Sequence, residues 1–554
     1  MEHPLIIHKT LKTAGKKDGQ ALILVYMTIV FLTILLSPLF AIVMSERWLL
    51  ERQRLEKEAF YLAEGAMEEA IQQFINAIAN FQIQPNVARY PASGVLTTAY
   101  ADSSAFPDGA QASGVISEAE SSLRQITDPD GIAVGVKTYI VSATCQHPRN
   151  NSITVTLNQA IILRVLYAFQ HAVFYNDDLE ILPGPTMNFS GRIHSNKDMY
   201  LDSNNDLTIN SAYVRSARNI YNRRKDTSSP APGDVRIKKA GTGAYFGMSG
   251  LDSDSPTWNT ESQSRWNGTV KSGVHGVTRL ATPVAGSIQP DGYYANNANV
   301  KIENGILTKG GAILQEGVDI PAGTIITDTD FYNNREAHYV RMTNIDLKKL
   351  AGYAPGDTEG SPSFANHLPS NGLIYATRND AGGSEEAGIR LHNGTQIYRN
   401  GGLTVVSNDP VYLQGDYNTV NKKPTAVICD SVNLLSNSWN DANSSSSLSA
   451  RAATDITVNT AFIAGVDTTT SGNYNGGLEN YPRLHENWTG KTLSIRGSFV
   501  ELWNSQIAQG AWQYGAPQYT APNRNWDYDT DFNINNMPPF TPWAVEAQRS
   551  AWWK

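Results

Sequence analysis

The 25 residues from Ala21 to Ser45 (ALILVYMTIVFLTILLSPLFAIVMS) carry no charge, and no other feature constrains the chain as strongly. At about 1.5 Å per helical residue, such a run covers the ~30 Å of a bilayer core. A cleaved secretory signal would have an apolar core of about 7 to 15 residues followed by a small-residue cleavage site. This run is longer and ends in Glu46-Arg47-Trp48, so it reads as a retained transmembrane helix. Lys9, Lys12, Lys16 and Lys17 precede it. By the positive-inside rule the N-terminus is expected in the cytoplasm and everything after Ser45 outside, in the periplasm or at the cell surface.

Helical patterning continues past the apolar run. Leu55, Ala59, Leu62, Ala66, Ala70, Phe74 and Ile78 recur at steps of three and four, while Glu51, Arg52, Arg54, Glu56, Lys57, Glu58, Glu64, Glu68 and Glu69 fill the other face. This is one apolar stripe on an amphipathic stem, and it is the expected helix-packing surface. Arg52 with Glu56, and Arg54 with Glu58, stand four apart and can pair. Span and stem together make one helix of about 60 residues, or ~90 Å, which Pro38 is expected to bend within the membrane.

Gly19-Gln20-Ala21-Leu22-Ile23-Leu24-Val25 opens the apolar run, and Ala59-Phe60-Tyr61-Leu62-Ala63-Glu64-Gly65-Ala66 follows Glu51-Arg52 in the stem. In these residues the chain resembles the N-terminal region of PilX-type minor pilins. The resemblance implies a basic leader ending at Gly19, a mature N-terminus at Gln20 made by a prepilin peptidase, and a helix able to enter a type IV pilus or pseudopilus. Its implied partners are other pilins or pseudopilins and the inner membrane. Many major pilins carry Glu five residues into the mature chain, where this sequence has Leu24. Pairing of that carboxylate with a neighbouring subunit's N-terminal amine is therefore not available here.

Thr138 to Thr144 and Ser152 to Val165 are β-rich runs separated by the turn-forming Gln146-His147-Pro148-Arg149-Asn150-Asn151, and they predict an antiparallel hairpin. Ile153, Val155 and Leu157 alternate with polar residues, and the stem stripe is the surface on which they can be buried. Farther on, short β-branched or aromatic runs such as Leu403 to Val406, Val411 to Leu413 and Ala426 to Ile428 are punctuated by polar turns. That texture suits stacked strands. The expected fold is mainly β with a long N-terminal α-helix: a pilin-like α+β head, then a right-handed parallel β-helix-like domain, with a β-sandwich as the alternative. The expected divisions are a leader at 1–19, the span at 20–45, the stem at 46–82 and a small sheet region at 83–166. The β-domain follows at 167–554, with an excursion at about 227–350 that closes in a short helix at Ile345 to Leu350.

The 44 Lys+Arg against 52 Asp+Glu give a net charge of −8 with no long basic run, which argues against nucleic acid as a partner. Eight of the 11 Trp lie from Trp439 onward; Trp488, Trp503, Trp512 and Trp526 could stack on surface glycans if exposed, or plug the end of a solenoid if buried. Asp527, Asp529 and Asp531 alternate as in an acidic calcium loop, yet position six is Phe532 and position twelve is Pro538, where Gly and Glu belong. Calcium is thus the one cofactor the pattern raises. Asp177-Asp178, Asp252 with Asp254, Asp430 near Arg451, and His194 were the acids and base that could serve a polysaccharide-active enzyme; none comes with a second element fixing its geometry. G-x-S-x-G, H-E-x-x-H and G-x-x-x-x-G-K-[ST] are all missing, so the expectation is a protein without catalysis. Cys145 and Cys429 read as two separate buried thiols. The functional expectation is a minor pilin or pseudopilin-like protein of filament assembly and surface contact. A membrane-tethered β-helix enzyme acting on polysaccharide and a glycan-binding adhesin are the alternatives.

Overall fold

The computed structural model describes residues 18–81, 96–100, 111–120, 123–128, 131–471, 473–510 and 512–554. Its first element, α1, is one 62-residue helix from Asp18 to Ala79 that runs through Pro38. Within the apolar stretch, Thr28 Oγ1 donates to the Leu24 carbonyl at 2.7 Å, Thr33 Oγ1 to Ile29 at 2.6 Å and Ser45 Oγ to Ile42 at 2.8 Å. These hydroxyls are satisfied inside the helix, as lipid surroundings require. Past the span, Arg52 pairs with Glu56 at 3.0 Å and Arg54 with Glu58 at 3.6 Å, the two predicted i,i+4 pairs. The helix ends where Phe81 turns to a φ of 61°. There the Phe81 ring stacks on Tyr293 at 3.9 Å, and Asn80 Oδ1 accepts from the Val284 N–H, so the stem is fastened to the β-region at its far end.

The predicted hairpin forms: Ala133–Gln146 pairs antiparallel with Thr154–Tyr167, Cys145 opposite Val155. Leu96–Tyr100 and Ala112–Glu118 extend the sheet on one side, and Arg124–Thr127 also pairs with Ala133–Gln146. On the other side, the strand Trp543–Trp553 pairs antiparallel with Thr154–Tyr167. The sequence reading assigned everything after residue 166 to the β-domain; this strand instead completes the head. Thr154–Tyr167 would otherwise leave a long open edge, and Val545 adds a fully buried side chain to the core between sheet and helix.

The rest of the chain is β-rich and its principal ladders are parallel. One sheet runs, in spatial order, through Val270–Lys271, Val214–Ser216, Ile193–Ser195, Val173–Tyr175, Thr492–Glu501, Ile456–Ala464, Thr425–Cys429, Leu403–Val406, Leu373–Thr377 and Val300–Glu303, every neighbour parallel. A second ladder joins His338–Asp346, Glu385–His392, Val411–Gln414, Val432–Leu435 and Pro482–Leu484, again parallel. Two further ladders hold Leu179–Ile181, Met199–Leu201 and Ile220–Tyr221, and Met187–Ser190, Asp206–Asn210 and Asp234–Lys238. One apolar core fills the space among them.

Chain order and spatial order differ. The chain enters the long sheet in its middle, at Val173–Tyr175, and works outward to Val270–Lys271. It then crosses to the opposite end at Val300–Glu303 and works back until Thr492–Glu501 lies beside Val173–Tyr175, with Phe499 opposite Val173 and Glu501 opposite Tyr175. The expected excursion at 227–350 does not leave the sheets entirely: Asp234–Lys238, Val270–Lys271, Val300–Glu303 and His338–Asp346 all lie in ladders. Its closing helix is Leu347–Leu350, capped by the Asp346 carboxylate on the Lys349 N–H.

Candidate assembly surface

Among the described residues, nothing covers the span half of α1. Leu22, Tyr26, Phe31 and Phe40 are 72%, 70%, 63% and 67% exposed, and Trp48, Leu49 and Leu50 continue the bare surface. A contiguous apolar surface this large marks a lipid or protein contact. By length and composition the helix suffices to cross a membrane. Gly19 and Gln20 lie exposed at its first turn.

From Leu55 onward the environment reverses. Leu55, Ala59, Leu62, Ala66, Ala70, Phe74 and Ile78 are all buried against Tyr139, Val141, Val155, Leu157 and Ile161 of the head sheet. The stripe is therefore covered by the protein's own sheet, as the alternation in the hairpin leads one to expect. The physical reason is the hairpin's alternation, which presents an apolar face of matching length. Arg549 pairs with Glu68, the Trp552 ring meets Phe60 edge-on at 6.3 Å, and His147 Nε2 lies 3.0 Å from Glu58 Oε2. Trp552 and Trp553, 51% and 40% exposed, extend the uncovered aromatic surface beside the stem. A cleft of about 580 Å³ is lined by Gln72, Asn76 and Asn80 of the helix and by the Thr278 to Ala285 segment, the two sides joining at the Asn80–Val284 hydrogen bond.

The residues weighed for catalysis are dispersed. Asp177 pairs with Lys197, Asp178 with Lys225 at 2.8 Å, and Asp254 with Arg223 at 2.7 Å, while Asp252 is 3.6 Å from Arg223. Asp430 accepts from the Gln506 N–H at 2.6 Å, and Arg451 donates to the carbonyls of His485, Pro517 and Gln518, so these two do not form a pair. His194 is buried between Asn196 and Tyr213, with Phe174 stacked on its ring.

At the acidic loop the carboxylates meet a lysine. Lys422 Nζ sits 2.8 Å from Asp529 and 2.7 Å from Asp531, occupying the place of a cation, while Asp527 accepts from the backbone and hydroxyl of Ser190. Among the described residues no group of three His, Cys, Asp or Glu is placed to hold a metal. The glycan-stacking reading fails for Trp488, Trp503 and Trp526, which are 0%, 7% and 2% exposed and serve the core. Trp512 is half-buried, with its Nε1 donating to Tyr519 at 3.0 Å. Cys145 and Cys429 are free and buried in different cores, and burial pushes both thiols up.

Glu501, Glu479 and Glu180 are among the buried carboxyls that no motif in the sequence singles out. Glu501 Oε2 accepts from the N–H groups of Asn176 and Asp177, both at 3.0 Å, and Glu479 Oε1 from Leu182 at 3.1 Å. Both therefore tie the later strands to the earlier ones where the two runs meet. Burial pushes Glu501 up to about 8 and Glu479 and Glu180 up to about 7. The available signal was Glu501 itself, a lone acid between Val500 and Leu502 in a strand-forming run.

No protein-family model matches the sequence, and no curated protein matches it. Among solved structures the chain is similar to the competence-associated pilin ComZ from Thermus thermophilus, at 10% identity over 89% of this chain and 97% of that one, with a TM-score of 0.24.

Proposed function

We propose that this protein is a membrane-anchored structural component of a type IV pilus-like filament, a minor pilin or pseudopilin of the PilX kind, displaying a large β-domain outside the membrane. One observation carries the reading: a single helix is apolar from Ala21 to Ser45 and bare through Leu50, and is buried by its own antiparallel sheet from Leu55. The bare half is free to lie in lipid or to exchange lipid for neighbouring pilin helices without unfolding the head. The four lysines before the span favour a cytoplasmic N-terminus. Processing by a prepilin peptidase would fall between Gly19 and Gln20, at the first turn of the helix.

We read the parallel ladders as a right-handed β-helix. Parallel pairing and the spacing of about 20 residues from Val173 to Ile193 to Val214 support stacked circuits over a β-sandwich, whose sheets are antiparallel. The right hand is the one parallel crossovers adopt. Its role is contact with other pilins or with a surface, and the dispersed acids support a role without chemistry.

The test places a photo-crosslinking residue at Ile34 in the intact chain and shears filaments from the cells. The expected result is a pilin-sized adduct in the sheared fraction and a mature N-terminus at Gln20 by mass spectrometry. Adducts to lipid alone, together with a chain beginning at Met1, would defeat the reading.

A further inference from the structure

Two turns of the β-domain stack on one another beside its ladders. The Asn418 N–H donates to the Gly394 carbonyl at 2.7 Å, and the Thr419 and Val420 N–H groups both donate to Thr395, at 2.8 and 3.0 Å. Asn393, Asn418 and Asn421 take left-handed conformations, with φ of 54°, 55° and 49°, which asparagine adopts more readily than other side chains. Stacked in this way, residues 396–400 and 421–423 line a surface cavity of about 370 Å³, with Tyr353 and Asn366 completing its walls. A second cavity of about 230 Å³, lined by Lys422, Asp529, Asp531 and Asn536, shares Asn400 and Lys423 with the first. The two meet at these shared residues as one elongated groove.

Its walls are rings and amides. The Tyr398 ring is half-buried, 4.7 Å from the Tyr353 ring centre, and its hydroxyl donates to Glu359 at 2.9 Å. Gln396 Nε2 donates to the other oxygen of that carboxylate at 3.1 Å, and Asn366 Nδ2 to the Tyr398 carbonyl at 3.1 Å. Ring and amides are thus held in place before anything binds. Asn400 is exposed at the waist of the groove. Lys422 takes both Asp529 and Asp531, at 2.8 and 2.7 Å, which leaves Lys423 without a carboxylate among the described residues. Two lysines and two aspartates on the walls balance in charge, and Glu359 lies behind them with its oxygens on Tyr398 and Gln396.

A hydroxyl both donates and accepts, and a planar amide offers both in return. An aromatic ring offers an apolar surface to a face of C–H groups. We propose that this groove binds a neutral oligosaccharide, with Tyr398 against a pyranose ring and Asn400, Asn421 and Lys423 on its hydroxyls. The balanced walls favour an uncharged ligand over an acidic one, and their amides favour it over an apolar one. The proposal names the kind of surface the β-domain meets, and rests on the proposed function only for that domain's place outside the membrane.

The test uses the full chain in micelles of a detergent without a sugar headgroup. Saturation-transfer NMR is recorded with tetramers of glucose, mannose, galactose and N-acetylglucosamine. The expected result is transfer to ring protons of at least one tetramer. Tyr398→Ala should weaken that binding about tenfold, the loss of one aromatic contact. Asn400→Trp should abolish it, because an indole at that exposed position fills the waist of the groove. Should Tyr398→Ala fail to fold, Asn400→Trp decides the matter. Absence of transfer to every tetramer would overturn the proposal, as would transfer that survives Asn400→Trp or that appears only with an oligogalacturonate. None of these results bears on the crosslink at Ile34, so the groove and the filament reading fail separately.

Discussion

Replacing Glu501 with Gln tests how the two runs of parallel strands close on each other. Glu501 is fully buried at the seam, opposite Tyr175, with the Asn176 and Asp177 N–H groups on Oε2. Burial raises its carboxyl from 4.5 to about 8; Lys197 pulls it back and Asp178 pushes it further. The native protein therefore holds this proton more tightly than the unfolded chain does. Its contribution to stability is complete below about 4.5, shrinks as pH rises, and is lost above about 8. At about 1.4 kcal/mol per pH unit, the whole interval corresponds to ~5 kcal/mol, an upper figure because water entering the seam would screen the charge. Gln keeps an acceptor oxygen for the two N–H groups and cannot ionise. Glu501→Gln should therefore be close to the parent at pH 5 and more stable at pH 9. Glu180 and Glu479 keep their own slopes of the same sign. The assay is hydrogen exchange across Val173–Tyr175 and Thr492–Glu501 in the full chain, corrected for intrinsic rates, alongside thermal melts at each pH. Equal destabilisation by Glu501→Gln at both pH values would refute the argument.

Phe74→Ala removes a ring that is 2% exposed and 4.7 Å from the Tyr139 ring centre, and should cost the head about 3–5 kcal/mol. Proteolysis of the head should quicken while the chain stays in the membrane fraction; an unchanged head would contradict the packing described. Ile34→Arg puts a charge at a 66% exposed position inside the apolar run and should cost insertion about 2.5–3.5 kcal/mol, read as a loss of carbonate-resistant membrane protein. Cys145 and Cys429, both 0% exposed, should resist a thiol reagent until the chain is denatured; labelling of the native protein would show that one of the cores opens.

What could be read in the sequence was local. The apolar run, the stem stripe, the pairs Arg52–Glu56 and Arg54–Glu58 and the hairpin at Ala133–Gln146 and Thr154–Tyr167 depend on spacings of two, three or four residues, and these survive without knowing what packs against them. The destinations were less legible. That the stripe is buried by the hairpin follows from the alternation of Ile153, Val155 and Leu157, but the part played by Val545 in the same core does not. Asp529 and Asp531 alternate as in an acidic loop, and their partner, Lys422, lies more than a hundred residues earlier in the chain. Trp488 and Trp526 stay open in the sequence between plugging a core and meeting a ligand, because an aromatic side chain reads alike in both, and burial settles them in the core.

By itself, then, the sequence determined one long helix with a bare apolar half and a charged, half-apolar continuation, followed by a β-rich chain of short strands. Tertiary structure alone decided that the chain starts its long parallel sheet in the middle, fills the far end later and seals the seam at Glu501, and that Trp543–Trp553 returns to the head. Short strands of similar composition offer nearly equivalent edges to one another. Choice among them is made by hydrogen-bond ladders and buried side chains between residues hundreds of positions apart, and no local spacing carries that information.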